Sequence, residues 1–183
     1  MTDQDARGAF SEPFPVLYRD EDFIAIHKPP GLLVHRSWIS EDRVFLLQLL
    51  RDQLGKRVYP VHRLDRATSG VILFAFSSRA ASALQQELES SRTVKCYHAV
   101  VRGWIHDDGE IDYPLRDRDE EGSEPKAALT HYRPLATVEL LHAVGRYSTA
   151  RYTLVEVQPL TGRRQQIRKH MKHIAHPIIG DTT

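Results

Sequence analysis

His62-Arg63-Leu64-Asp65-Arg66-Ala67-Thr68-Ser69-Gly70 runs directly into Val71-Ile72-Leu73-Phe74-Ala75-Phe76, and the rest of the chain is read outward from this stretch. The second half is short, β-branched and aromatic, which predicts a buried strand apolar on both faces. The first half then becomes a loop at the end of that strand. It places one carboxylate, Asp65, among two arginines, a histidine and two hydroxyl side chains. A reactive group on a loop above a rigid sheet is a common active-site arrangement. The same residue types also build ordinary surface turns, and composition alone favours that plainer outcome.

Length and composition set the frame. The chain has 183 residues, 41% hydrophobic and 27% charged, which are ordinary globular values and fit one domain, or one with extensions. No stretch is apolar enough to span a membrane, and the N-terminus lacks a signal-peptide pattern. The single cysteine, Cys96, excludes an internal disulfide framework and suits a reducing cytoplasm. A formal net charge of +1 does not mark a nucleic-acid binder, so any such role must rest on local charge. The charge is uneven. Residues 107–124 hold nine carboxylates against Arg116 and Arg118, which predicts an exposed loop that would repel phosphate. Arg163, Arg164, Arg168, Lys169 and Lys172 fall within ten residues near the C-terminus, as either a solvated helix face or a contact surface.

Periodicity predicts an α+β domain. Residues 1–14 are polar and read as a flexible tail before a domain over 15–183. Val16–Tyr18 and Phe23–Ile26 predict two short strands, broken by Lys28-Pro29-Pro30-Gly31. Asp42 is placed to cap a helix over 43–54 that ends at Gly55, with Leu47, Leu50 and Leu54 at core spacing. A second helix is expected over 79–90, with Ala80, Ala83, Leu84 and Leu88 facing inward. Strands follow over 93–102, 127–132, 135–141 and 149–158. Runs of strands, rather than alternating βαβ units, argue for α+β.

Thr93–Gly103 alternates, so Lys95, Tyr97 and Ala99 share one face and Cys96, His98 and Val100 the other. Tyr97 suits a strand tyrosine packed by its ring, and Cys96, with no base or metal partner in the pattern, reads as packing. Beyond Gly162, Ile167, Met171 and Ile174 form one helix face. Arg164, Arg168 and Lys172 flank it, while Lys169 points to solvent. His170, His173 and His176 are spaced by three, which raises zinc. No H-E-x-x-H arrangement accompanies them, and Pro177 implies that the helix ends near His176. Phosphate-facing or interfacial histidines are therefore preferred to a metal site.

Three of these segments together resemble the RluA-type pseudouridine synthases. H-R-L-D-x-x-T-S-G resembles that family's catalytic motif, Lys95–Gly103 its K-x-Y-x-A-x-V-x-G element, and Leu160–His170 its L-x-T-G-R-x-H-Q-I-R-x-H motif. Gln165 departs from the pattern, standing where the family has histidine. The resemblance extends over Lys28–His35 and Ala175–Asp181. His35-Arg36-Ser37-Trp38 is most similar to members that act on uridine 65 of certain tRNAs. The resemblance implies a mixed, largely antiparallel sheet flanked by helices and a monomeric enzyme of the cytoplasm, without the small S4 domain. Relatives continue past the G-D pair, so a further terminal strand is expected after Thr183.

The resemblance also assigns roles. Asp65 is the catalytic aspartate, Tyr97 lies beside the target uracil, and Arg168 pairs with the carboxylate. His62, Arg63, Arg163, Arg164, Lys169 and Lys172 become candidate RNA contacts. Uridine becomes pseudouridine when N1–C1′ breaks, the base turns, and C5 bonds to C1′. Only the C5 proton leaves, so no cofactor and no metal is implied. A carboxylate can stabilise or capture the anomeric carbon, and an arginine keeps such a carboxylate charged in a dry site. Whether the aspartate attacks C1′, attacks C6 or assists a glycal route stays open. The target nucleotide must be flipped out, and Arg63 is placed to fill the gap or hold a phosphate. Alternatives are action on rRNA or another tRNA site, a non-catalytic RNA-binding module, and a nucleoside or glycoside hydrolase that would need a second carboxylate.

Overall fold

The structure is a computed structural model that describes residue 10 and residues 12–36, 42–90, 92–116, 124–145 and 147–181. Ser37 and Trp38, and residues 117–123 of the acidic segment, lie outside the described residues. The chain divides into two compact units, Met1–Ser90 and Ser91–Thr183. Each carries its own four-stranded sheet, and every strand pairing within them is antiparallel. The α+β expectation holds, with two antiparallel sheets in place of one mixed sheet.

The first unit contains β1 (Val16–Arg19), β2 (Phe23–Lys28), α1 (Leu46–Leu54), β3 (Tyr59–Pro60), β4 (Gly70–Ala75) and α2 (Ser78–Glu89), with sheet order β1-β2-β4-β3. Ile24, Ile26, Leu46, Leu50, Val58, Ile72 and Phe74 are fully buried and form its core. β4 is central, as its apolar run predicts, but Val71 is exposed and Leu73 only half-buried, so burial is not equal along the strand. The first helix starts three residues later than expected. Asp42 pairs with Arg66 at 3.2 Å, and the carbonyls of Leu33 and Val34 accept the N–H groups of Leu46 and Leu47 at 2.9 and 3.0 Å. The 32–34 segment thus serves as a backbone cap for orphan helix donors. Leu46 and Leu50 supply the buried face in place of Leu47 and Leu54, and Gly55 at φ 63° ends the helix as predicted. Ser77 caps α2, whose Ala83 faces solvent, contrary to expectation, while Ala80, Leu84 and Leu88 are half-buried. The expected tail ends early, because Phe14 is buried and its N–H donates to Gln53 Oε1 at 2.9 Å.

The second unit contains β5 (Tyr97–Arg102), β6 (Gly109–Asp112), β7 (Leu129–Leu140), β8 (Ala150–Pro159) and α3 (Gln166–His173), with sheet order β5-β8-β7-β6. The two strands expected over 127–141 are one. A bulge at Leu135, between the Pro134–Val155 and Ala136–Leu154 pairs, follows the proline directly and lets the ladder continue. The acidic segment is not a loop at its start, since β6 pairs with β7 and buries Ile111. Met171 of α3 is fully buried against Val101, Val155 and Val157, with Ile167 and Ile174 beside it, as the helical spacing predicts. The helix ends at His173 in a Schellman arrangement. His176 N–H donates to the Met171 carbonyl at 2.9 Å and Ala175 N–H to Lys172 at 3.0 Å. Ala175, at φ 64°, occupies the left-handed position usually given to glycine. The following residues then join the outer edge of β5, through Arg102 N–H to Pro177 O and Ile179 N–H to Val100 O. Gly103 suits this place, since its φ of 85° disfavours any other residue and a Cβ would lie 3.0 Å from His176 Nδ1.

Candidate active site and nucleic-acid contacts

The Asp65 loop joins β3 to β4 and is held from beneath by a lysine. Lys28, the last residue of β2, is fully buried. Its ammonium donates to the carbonyls of Pro29 at 2.9 Å, Arg66 at 3.2 Å and Thr68 at 2.7 Å, which uses all three of its protons. Burial lowers its pKa to about 8, and the Asp65 charge works in the opposite direction. Gly31 N–H donates to Arg66 O at 2.8 Å, and Arg66 Nε returns a bond to Gly31 O at 3.1 Å, so the Lys-Pro-Pro-Gly segment and the loop are stitched together. Thr68 N–H closes a turn onto Asp65 O at 3.0 Å. Asp65 itself is half-buried and Arg63 exposed. Sequence reasoning quoted Lys28 in a motif without giving it a role. Its signal was a lysine within a segment otherwise destined for the core.

His62 enters the same loop differently from its expected RNA contact. Its Nε2 accepts the Leu73 N–H at 3.1 Å, and burial pushes its pKa down, so the neutral ring ties the loop start to β4.

In the second unit, Tyr97 opens β5 opposite Val157, half-buried on the face it shares with Ala99 and Val101. The other face is not packing, as Cys96 was expected to be. Cys96 is exposed beside His98 and Glu156, and these three are the described residues whose metal-ligating atoms lie within 4.8 Å of one another. Glu156 is engaged by Arg133 at 3.2 Å, and the Cys96 thiol pKa is raised by desolvation and then by the Glu156 charge.

The Leu160–His170 motif is locked by a buried amide. Gln166 Oε1 accepts from Thr161 Oγ1 at 2.7 Å and from Arg163 N–H at 2.9 Å. Its Nε2 donates to Leu129 O and Thr130 Oγ1, both at 2.9 Å. Both amide ends are therefore satisfied, which fixes the loop against β7. Gln165, the departure from the family pattern, sits at φ 53° before α3 and makes no capping bond. The three histidines diverge. His170 is fully buried, with Nε2 donating to Tyr113 O at 3.0 Å and Nδ1 accepting from Thr130 Oγ1 at 2.9 Å. Desolvation lowers its pKa, aided by the His173 charge. His173 stacks on Tyr113 at 3.7 Å, and His176 Nδ1 donates to Arg102 O at 2.8 Å. His170 is thus a core residue, not a phosphate-facing one.

The arginines and lysines of this motif also separate. Arg168 grips Asp181 with both Nε, at 2.7 Å, and its second amino group. Arg163 Nε donates to Ala127 O at 2.9 Å. Lys169, expected to point to solvent, is half-buried and donates to Arg116 O at 2.9 Å. Lys172 is exposed.

Residues 22–173 match the family described as RNA pseudouridylate synthase, and the chain belongs to it. It is 52% identical over 176 residues to tRNA pseudouridine synthase C of Pectobacterium carotovorum, covering 91% of this chain but 47% of that protein. It is 48% identical to the enzyme of the same name from Vibrio cholerae, covering 92% of this chain and 72% of the relative. The chain thus spans from about half to nearly three quarters of these two relatives. Human RNA pseudouridylate synthase domain containing 1 is similar in structure, with TM-score 0.75 at 27% identity over 94% of this chain and 69% of that one.

Proposed function

We propose that this chain isomerises uridine to pseudouridine in RNA, that its substrate is a tRNA, and that uridine 65 is the target. The observation that carries the reading is the Asp65 loop pinned by Lys28 within a chain of this family. Asp65 acts at the flipped nucleotide. Tyr97 stacks on the base and handles a proton or orients the ring, and Arg168 keeps the catalytic carboxylate charged, roles taken from the resemblance. A loop held by two of its carbonyls, those of Arg66 and Thr68, on one ammonium gives a nucleophile little freedom to drift, and such positioning lowers the barrier.

Phosphates are met by Arg63, Arg164 and Lys172, which add sequence-independent affinity. His62 supports the loop from within. No helix among the described residues is long and apolar enough to cross a membrane. We assign the cytoplasm as the place of action and the monomer as the working form, with neither cofactor nor metal in the reaction.

The test is Asp65→Asn, which keeps shape and removes charge. Total tRNA and rRNA are treated with each protein and new pseudouridines mapped. Wild type is expected to modify one tRNA position and Asp65→Asn none, with RNA affinity nearly unchanged. Turnover by Asp65→Asn removes Asp65 from the chemistry, and a modified rRNA site redirects the substrate assignment.

A further inference from the structure

Cys96 and His98 stand on either side of Tyr97, the first residue of β5, and alternation puts both on the opposite face from the tyrosine. His98 lies directly across from Glu156 of β8, so the two side chains are cross-strand neighbours. The Cys96 sulfur, a His98 ring nitrogen and a Glu156 carboxylate oxygen all lie within 4.8 Å of one another. The carboxylate is oriented from its other side. Arg133 and Gln158 donate to Oε1 at 3.2 and 3.3 Å, while Oε2 is turned to His98, with Nε2 3.9 Å away. Core packing accounts for none of this, because Cys96 and His98 are both exposed.

We propose that Cys96, His98 and Glu156 form a zinc-binding site that ties β5 to β8. The donor set decides the ion. Thiolate sulfur and imidazole nitrogen with one carboxylate oxygen suit Zn²⁺, whereas Mg²⁺ and Ca²⁺ take sets of oxygens. The spacing agrees. Tetrahedral zinc with bonds of about 2.0–2.3 Å sets its ligand atoms about 3.4–3.6 Å apart, slightly closer than His98 and Glu156 now stand. Exposed side chains have room to close that difference. Arg133 and Gln158 play the part of outer partners that orient a ligating carboxylate. On binding, the Cys96 S–H bond breaks, its electron pair bonds the ion, and the proton passes to solvent. Three protein ligands leave the fourth position to water, and the like charge of Arg133 makes the site weaker than a closed one with four ligands. The ion sits across the sheet from Tyr97 and takes no part in the proposed isomerisation, so zinc binding stands or falls apart from that reading.

The whole chain, kept reduced with a phosphine, is titrated with Zn²⁺ against a competing chelator dye. One ion per chain is expected. Cys96→Ala, His98→Ala and Glu156→Gln should each weaken binding roughly tenfold or more, the least that losing an outer partner costs at such sites. His142→Gln, which removes an exposed histidine outside the cluster, should bind like wild type. Metal-free Cys96→Ala and His98→Ala should unfold at the wild-type midpoint, since both positions are exposed, so weaker binding reports the site and not the fold. Two measurements on the wild type need no variant to fold. Co²⁺ in place of Zn²⁺ should show sulfur-to-cobalt charge-transfer absorption, and Zn²⁺ but not Mg²⁺ should protect the single cysteine from iodoacetamide. No Zn²⁺ uptake, equal affinity in all three variants, or a cobalt complex without the charge-transfer band overturns the site.

Discussion

The Lys28 ammonium lies 2.7 Å from the carbonyl oxygen of Thr68, forty residues later in the chain and three beyond Asp65. The end of one strand thereby sets the conformation of the loop that carries Asp65. A buried lysine is unfavourable unless it is fully hydrogen-bonded, and here each of its protons has a carbonyl.

Lys28→Met keeps the length of the side chain and abandons three acceptors. Unfolding in urea should show a loss of about 1–3 kcal/mol or more, the cost of leaving buried polar groups unpaired. Turnover should fall further than this loss of folded protein explains, because the Asp65 loop is released. Full turnover in a folded variant would show that the lysine serves stability alone.

The same lysine predicts a pH effect. Its folded pKa of about 8 lies below the ordinary 10.5, so between these values the unfolded chain holds more protons than the folded one. Stability from this group therefore rises as pH climbs from about 8 to 10.5. The wild type should gain on Lys28→Met across that window in denaturant titrations. Asp65→Asn removes the charge that favours the ammonium, and should move the titration to lower pH.

Tyr97→Phe separates stacking from proton handling. The ring remains, so tRNA affinity should stay within a few-fold of wild type. Single-turnover rates should drop by roughly 10²-fold or more, the usual scale for a lost general acid or base. A wild-type rate would make Tyr97 a platform only.

His170 and His62 are held neutral by burial, with pKa values lowered from 6.5. The unfolded chain takes up protons first as pH falls, so stability is complete above 6.5 and is lost below it. His170 is faced by the Thr130 hydroxyl, the Tyr113 carbonyl, His173 and Asp112. His170→Gln should show a shallower decline of unfolding midpoint between pH 6.5 and 5. An identical decline would assign the effect to other groups.

Ala175→Gly relieves a left-handed backbone at an exposed helix end. A gain of about 1 kcal/mol is expected in equilibrium unfolding, since an L side chain is disfavoured there by roughly that amount. No gain would mean that the entropy of glycine in the unfolded chain offsets the relief.

Local sequence determined the elements whose residues interact with near neighbours. The apolar run after Gly70 forms a strand, though Val71 is exposed, and the alternation of Tyr97–Arg102 and the Ile167, Met171, Ile174 face form as read, because period and side-chain type suffice to set a strand or a helix face. The motif strings were enough to point to the family. Only the tertiary structure decided partners distant in sequence. The Leu33 and Val34 carbonyls cap α1 in place of Asp42, and His170 turns inward to Thr130 and Tyr113. Lys169 folds back to Arg116, and Lys28 reaches the Asp65 loop. Each is a polar group finding its donor or acceptor outside its own element, from 13 residues away at Leu33 to 57 at Tyr113. Pairing of that kind depends on which backbone groups folding leaves unsatisfied, and no local pattern records it.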